Sequence, residues 1–117
     1  MKYEFALCAG RHDTPASQAI FQEITDPTNF DGMLDYVAEA IPADTTELVV
    51  YVTGLTPAML AVVVYCECCS ISLTAMHFDR ETGSYLPQEI FSYKECPRCH
   101  RRHHAYEELC PRCWGNS

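Results

Sequence analysis

Basic residues are scarce in this 117-residue sequence, which has eight lysines and arginines against sixteen aspartates and glutamates. Residues 1–93 hold only three of the basic residues, Lys2, Arg11 and Arg80, against thirteen acidic ones. A body of this charge repels nucleic-acid polymers, because proteins bind them mainly through phosphate contacts. The composition therefore disfavours a nucleic-acid polymer as partner of residues 1–93, but it leaves room for a small anionic ligand in a local pocket.

Long apolar runs are also lacking. The longest run, residues 58–65, is followed at once by Cys66 and Glu67, so it is too short to cross a membrane. Residues 1–4 lack the basic start and apolar core of a signal peptide. We therefore expect a cytoplasmic protein with no membrane partner, in which thiols stay reduced.

Cysteine, in contrast, is abundant, with eight residues. Four of them form two Cys-Pro-Arg-Cys units, at 96–99 and 110–113. Two residues between cysteines let one tight turn aim both thiolates at one metal, and two such turns complete a tetrahedron that suits zinc. We predict a structural Zn²⁺ in a zinc ribbon over residues 94–117, with the ligands Cys96, Cys99, Cys110 and Cys113. An open alternative is that His100, His103 or His104 replaces one cysteine.

The other four cysteines are predicted to be small buried hydrophobic residues; they are Cys8, Cys66, Cys68 and Cys69. A second metal site formed by Cys66, Cys68 and Cys69 is the alternative, which their diverging directions on a helix disfavour.

Residues 1–93 alternate between strand and helix patterns. We predict strands at 3–8, 48–52 and 71–78, helices at 14–24, 30–41 and 56–69, and a hairpin strand at 84–86. Strands that alternate with helices favour right-handed crossovers and a parallel sheet covered on both faces. The expected fold is therefore an α/β, small Rossmann-like three-layer domain with a mostly parallel sheet and an edge hairpin.

Two predicted strand-to-helix turns, at 8–15 and 53–57, fall at the carboxyl ends of parallel strands, where open α/β sheets bind ligands. Each has a glycine and a helix N-terminus, whose bare N–H groups attract anions. The candidate ligand-binding residues are Gly10, Asp13, Thr14, Thr53, Gly54, Thr56 and, from the third strand, His77. Arg11 and His12 are the candidate catalytic residues. The alternative is that the Thr-Pro pairs only cap helices and that His77, Asp79 and Arg80 only form a hairpin corner.

The segment 52–59, Val-Thr-Gly-Leu-Thr-Pro-Ala-Met, resembles the hydrophobic-x-Thr-Gly-Gly-Thr-Lys-x-Met segment of CRISPR-associated Rossmann-fold (CARF) domains. Those domains bind cyclic oligoadenylates across a dimer, and the ring nucleases among them cleave the ligand. The resemblance implies ligand contacts from Thr53, Gly54 and Thr56, and a homodimer. Leu55 replaces the second glycine of the family's segment and Pro57 replaces its lysine, so Arg11 would have to supply the missing phosphate contact.

The sequence leaves three functions open. The first is binding of a small nucleotide-type anionic ligand, such as a cyclic oligonucleotide in a defence or anti-defence context, with or without metal-independent phosphodiester cleavage by His12 and Arg11. The second is a zinc-ribbon adaptor that docks a protein or nucleic acid through Arg98, Arg101, Arg102, Arg112 and Trp114, with residues 1–93 as scaffold. The third is an unrelated small-molecule enzyme that uses the same cleft.

Overall fold

The structure, a computed structural model, describes residues 1–9, 14–24, 26–53 and 56–105. In chain order these residues form β1 (Lys2–Cys8), β2 (Ala19–Phe21), α1 (Phe30–Ala40), β3 (Glu47–Tyr51), α2 (Thr56–Cys69), β4 (Ser72–Asp79), β5 (Ser84–Phe91), β6 (Tyr93–Glu95) and β7 (Arg102–His104).

The main sheet has the strand order β2-β1-β3-β4-β5. Its first four strands are parallel to one another, and β5 pairs antiparallel with β4 at the edge. The predicted α/β fold with a mostly parallel sheet and an edge hairpin is therefore confirmed. A separate antiparallel pair, β6 and β7, follows the main sheet in the chain.

The predicted helix over residues 14–24 is wrong. Residues 14–18 have no regular structure, and β2 follows them in parallel pairing with β1. The Ala6 N–H donates to the Gln18 carbonyl at 2.8 Å, and the Ala9 N–H donates to the Phe21 carbonyl at 2.9 Å. This segment therefore satisfies main-chain groups along one side of β1, which would otherwise be an exposed edge.

Tertiary pairing overrides the local helix signal here. Ile20 and Phe21 are only 1% and 2% exposed, so the strand buries two large side chains. The Thr14 hydroxyl, expected to cap a helix, instead donates locally to the Ala16 carbonyl at 3.4 Å. Local cap chemistry contributes only about 1 kcal/mol, which is small beside the burial of two large apolar side chains.

Both helices lie on the same face of the sheet. α1 joins β2 to β3 and α2 joins β3 to β4, and both connections advance across the sheet in the same direction, so right-handed crossovers place them together. One core cluster unites the two helices with alternate strand residues, namely Phe5, Leu7, Leu48, Val50, Leu73, Met33, Val37, Ala58, Ala61, Val62 and Cys66. The predicted third layer is not formed by the described residues, because the helix that would have covered the other face is absent from 14–24.

The two helices differ in their surroundings. α1 buries Met33 and Val37, four residues apart, and has a polar opposite side, as the helical period predicted. α2 is apolar on nearly every side and buries four residues against the sheet, while Leu60 remains 54% exposed. Neither helix, nor any other in the described ranges, has the length and hydrophobicity needed to span a bilayer.

The edge hairpin is longer than predicted, because β5 extends to Phe91. Its turn is organised by Asp79, whose carboxylate accepts the Glu81 N–H at 3.1 Å and the Thr82 hydroxyl at 2.9 Å. Gly83 has a φ of +70°, a conformation that glycine adopts at little cost. The turn predicted at residues 79–83 is thus confirmed.

The N-cap residue of α1, Asn29, allows a direct test of where this helix begins. The Asn29 side chain accepts the Gly32 N–H at 3.1 Å. We expect Asn29→Ala to lower the free energy of unfolding by about 1 kcal/mol, because it leaves one helix N–H without its acceptor. Asn29→Asp retains the acceptor and serves as the control. Urea denaturation would measure both, and an equal loss in the two variants would contradict the capping role.

Candidate functional site

The carboxyl ends of β1 and β3 meet at one edge of the sheet, as predicted. The Cys8 N–H, at the end of β1, donates to the Thr53 hydroxyl oxygen at 3.0 Å. Next to them, the Val52 N–H donates to the Met76 carbonyl of β4 at 3.0 Å. The turns that follow β1 and β3 therefore start side by side, with the end of β4 next in line.

Thr53 has a structural partner at this edge. It is only 2% exposed, and its hydroxyl satisfies the last N–H of β1, a group that would be costly to bury without an acceptor. Thr56, the first residue of α2, is exposed. Of these two predicted ligand-binding threonines, Thr56 is thus the one that presents its side chain to solvent.

His77 lies on the exposed part of the β4–β5 hairpin. Its Nε2 is 2.7 Å from the Gln88 Oε1; since that oxygen only accepts, Nε2 carries the proton in this arrangement. His77 therefore takes part in a cross-strand hydrogen bond at the hairpin, and Asp79 organises the turn. These contacts match the alternative of a hairpin corner, while leaving the His77 ring accessible.

A cavity of about 700 Å³ opens beside β1, β2 and the segment 14–18. Ligand sites commonly have volumes of roughly 300–1,000 Å³. The wall includes Cys8 and Ala9 at the end of β1. It also includes Thr14, which follows residues 10–13 in the sequence. Thr14 is thus the described ligand-binding candidate that lines this cavity, whereas Thr53, Thr56 and His77 are not part of its described wall.

The described wall carries several polar side chains and one carboxylate, and no basic side chain. It includes the side chains of Ser17, Gln18 and Gln22, together with Tyr36 and Glu39 from α1. The Tyr36 ring is stacked on Phe21, with centroids 5.4 Å apart and planes at 17°, and Tyr36 is 38% exposed. Apart from Thr14, sequence reasoning missed this wall, because it assigned residues 14–24 to a helix. The short apolar run Ala19–Phe21, preceded by Pro15 and Ser17, is the signal that could have indicated an edge strand.

Several predicted site residues lie outside the described part of the chain. They are Gly10, Arg11, His12, Asp13 and Gly54 of the ligand site, and Cys110 and Cys113 of the metal site.

The first Cys-Pro-Arg-Cys unit forms the turn between β6 and β7. The Cys96 N–H donates to the Arg101 carbonyl at 2.7 Å, and the His100 N–H donates to the Cys96 carbonyl at 2.9 Å. His100 has a φ of +64°, which lets the chain reverse directly after Cys99. Cys96 is fully buried and Cys99 is exposed. The tight turn predicted for this unit is therefore present.

The described residues alone contain no group of three or more potential metal ligands; the predicted set has only Cys96 and Cys99 among them. Of the histidines offered as alternatives, His103 is 5% exposed and its Nε2 has no hydrogen-bond partner among the described residues, although it forms no ligand group with Cys96 and Cys99. Its Nδ1 lies 2.9 Å from the His104 carbonyl oxygen, so Nδ1 donates and the Nε2 lone pair is left over. His100 likewise has its Nδ1 bonded, 2.7 Å from a Glu95 carboxylate oxygen, so either histidine would bind a metal through Nε2.

The remaining cysteines divide into two pairs. Cys8 and Cys66 are buried, as predicted, whereas Cys68 and Cys69 at the end of α2 are exposed, so the prediction was wrong for them. Burial, and to a smaller extent the neighbouring Cys69 thiol, raises the pKa of Cys66 to about 12. Cys66 therefore stays protonated at neutral pH, which disfavours it as a metal ligand or a nucleophile.

Comparison of this chain with protein-family models, with curated proteins and with solved structures finds no match.

The Thr53 hydroxyl gives a test of structural against ligand-binding roles. We expect Thr53→Val to lower the free energy of unfolding by about 1–3 kcal/mol, because the buried Cys8 N–H loses its acceptor. Thr53→Ser keeps the oxygen and should lose less. Chemical denaturation of both variants would measure the difference. If Thr53→Val were as stable as Thr53→Ser, the hydroxyl would have no such structural role.

Proposed function

We propose that the cavity beside β1 and β2 binds a small nucleotide-type ligand. The observation that carries this proposal is that Cys8 and Ala9 on one side and Thr14 on the other line the same cavity. Arg11 and His12 fall between these wall residues in the sequence, so covalent connectivity limits their distance from the cavity. The ligand's phosphate groups would then bind near residues 10–13, where Arg11 is one of only three basic residues in 1–93.

The described wall suits the uncharged part of such a ligand. Tyr36 offers an aromatic ring, and aromatic side chains stack with nucleobases. Ser17, Gln18 and Gln22 provide hydroxyl and amide groups, which bind base edges and sugar hydroxyls through hydrogen bonds. The Glu39 carboxylate is a suitable acceptor for ribose hydroxyls, a role that acidic residues have in dinucleotide-binding folds. A ligand composed mainly of phosphate would not match this wall.

Cleavage of a cyclic oligonucleotide is the finer version of this proposal. A 2′-hydroxyl of the ligand would attack the adjacent phosphorus while His12 takes its proton, and the bond from phosphorus to the 5′-oxygen would break. The products are a 2′,3′-cyclic phosphate and a 5′-hydroxyl, whose proton comes from solvent. Arg11 would stabilise the negative charge that develops on the phosphoryl oxygens. This chemistry uses only groups of the protein and the ligand itself.

We further propose that residues 94–117 hold one structural Zn²⁺ through Cys96, Cys99, Cys110 and Cys113. The tight turn over 96–101 and the burial of Cys96 support the first half of this site. The second Cys-Pro-Arg-Cys unit repeats the same spacing in the sequence. A set of four thiolates leaves no open coordination position, so the zinc would supply folding energy rather than catalysis.

Ligand binding is tested by calorimetric titration of the protein with linear and cyclic oligonucleotides. We expect Arg11→Ala to weaken binding by about 1.5–3 kcal/mol, the value of a charge-assisted hydrogen bond. The matched control is Arg80→Ala, which removes the same charge from the exposed tip of the β4–β5 hairpin and should leave affinity unchanged. Equal losses in the two variants would indicate general electrostatic attraction and contradict the proposed pocket.

Catalysis is tested by incubating the same oligonucleotides with the protein and analysing the products. If the protein is a ring nuclease, His12→Ala should retain the ligand and lose turnover, because the imidazole acts as the base and not as the main contact. Chromatography of the products would detect the 2′,3′-cyclic phosphate. Turnover that survives in His12→Ala would contradict the role of His12 as the base. If the unmodified protein binds the ligand without turnover, the cleavage proposal is wrong and the protein acts as a ligand sensor.

Zinc binding is tested by native mass spectrometry of the purified protein. We expect close to one zinc per chain, since the four cysteines form one site, and we expect Cys96→Ser to lose it, because serine is a much weaker zinc ligand than thiolate. Cys68→Ser makes the same change at an exposed cysteine of α2 and should keep the metal. A metal-free unmodified protein would contradict the proposal.

A further inference from the structure

The hairpin formed by β6 and β7, which we call the zinc hairpin, contacts the main sheet through the side chain of Arg102. Arg102, the first residue of β7, donates from Nε to the Ser70 carbonyl at 2.9 Å and from Nη2 to the Thr46 carbonyl at 3.1 Å. Its Nη2 is also 3.5 Å from the Ser72 hydroxyl. The planar guanidinium with its several donors suits such a set of oxygens better than the point charge of a lysine does.

The acceptors of Arg102 belong to the amino-terminal edge of the two central strands. Thr46 immediately precedes β3, and Ser72 begins β4. The Ser72 N–H also donates to the Thr46 carbonyl at 3.0 Å, so Arg102 binds where the two strands begin to pair. The Ser72 hydroxyl in turn accepts the Tyr93 N–H of β6 at 3.0 Å. Both strands of the zinc hairpin therefore contact the start of β4.

Arg102 also supplies positive charge at the end of α2. This helix has no basic residue in its last turn, although the C-terminal end of a helix carries partial negative charge. The chain leaves α2 through Ser70, which has a φ of +54° and whose carbonyl is the nearest acceptor of Arg102. One side chain thus links the zinc hairpin to the C-terminal end of α2 and to the starts of β3 and β4.

The position of Arg102 depends on the turn that contains the first cysteine pair. Arg102 directly follows the turn over 96–101 and is paired with Glu95 across the hairpin. The Cys96 N–H donates to the Arg101 carbonyl at 2.7 Å, so the residue before Arg102 is bonded to a predicted zinc ligand. A three-residue strand pair is too short to be stable alone, and a metal at the cysteines would hold it together.

We propose that metal occupancy of the cysteine site is transmitted to the α/β domain through Arg102. With the metal bound, the hairpin holds the guanidinium on the three oxygens and fixes the amino-terminal edge of β3 and β4. Without the metal, the hairpin loosens and this edge opens more often. The inference rests on the proposed zinc site, but it makes a separate statement about the stability of the main sheet.

The test is a cycle of zinc removal and substitution in the full-length protein. We expect a zinc chelator to lower the melting temperature of the unmodified protein by roughly 5–10 °C. In Arg102→Ala the same chelator should lower it by less than half as much, because the link is already lost. Arg101→Ala removes an exposed arginine from the adjacent position and should respond to the chelator like the unmodified protein. The loss of melting temperature in Arg102→Lys should lie between the losses in Arg102→Ala and in the unmodified protein.

Amide hydrogen exchange shows which part of the sheet is destabilised by zinc removal. Chelation should accelerate exchange of the Ser72 amide by roughly tenfold or more in the unmodified protein, and much less in Arg102→Ala. Native mass spectrometry of each variant distinguishes the two proposals. A zinc-free unmodified protein would overturn both the zinc site and the link. One zinc per chain, together with equal chelator effects in Arg102→Ala and Arg101→Ala, would overturn the link and leave the zinc site standing.

Discussion

Strand β1 has main-chain groups on two sides, and the need to pair both of them determines much of this fold. On one side β3 pairs with it in register over five residues, from Lys2 to Ala6. On the other side the chain returns immediately after the first loop, and Gln18 and Phe21 accept the N–H groups of Ala6 and Ala9. An unpaired buried N–H costs as much as a lost hydrogen bond, so the return segment becomes a strand rather than a helix.

This pairing has a cost on the second face of the sheet, which receives no helix from the described residues. Parallel sheets are normally covered on both faces, and here the edge hairpin supplies part of the cover. Tyr51 of β3 is 7% exposed, and the edge of its ring meets Tyr85 of β5 with centroids 4.9 Å apart. Tyr85 also contacts Phe78 at 5.4 Å. At the other end of this face, Lys2, Glu4 and Glu47 are exposed. Charged side chains therefore face the solvent in the part of this face that the aromatic residues do not cover.

Those parts of the fold that depend on local periodicity could be predicted from the sequence. The helical stripe of α1, the apolar run of β3 and the turn at Asp79 each contain their own signal within about a dozen residues. The Thr-Pro pairs could not be interpreted in the same way, because Thr14-Pro15 and Thr56-Pro57 offer identical cap chemistry. Only the second begins a helix; the first lies in the segment that returns to pair with β1, a long-range feature that no local window contains.

The candidate site was harder to predict for the same reason. Thr14 lines the cavity, but the rest of the polar wall depends on β2 and α1 being neighbours. Thr53 illustrates a second difficulty, since its residue type fits a ligand contact equally well, and only the 3.0 Å bond to Cys8 reveals a structural partner. A hydroxyl near a predicted cleft is therefore weak evidence until its hydrogen-bond partners are known.

The positions of the cavity and the β6–β7 hairpin also bear on the adaptor alternative. The cavity lies where β1 ends, whereas Arg102 binds where β3 and β4 begin, so a ligand and a docked partner would occupy opposite edges of the sheet. Arg102 bonds to carbonyls of the main domain, which leaves Lys94, Arg98 and Arg101 as the exposed cations of the described hairpin. With Arg112, which lies outside the described residues, residues 94–117 offer four cations besides Arg102, few for a nucleic-acid polymer held by phosphate contacts beside a strongly acidic domain. An adaptor function would therefore favour a protein partner with a small acidic surface.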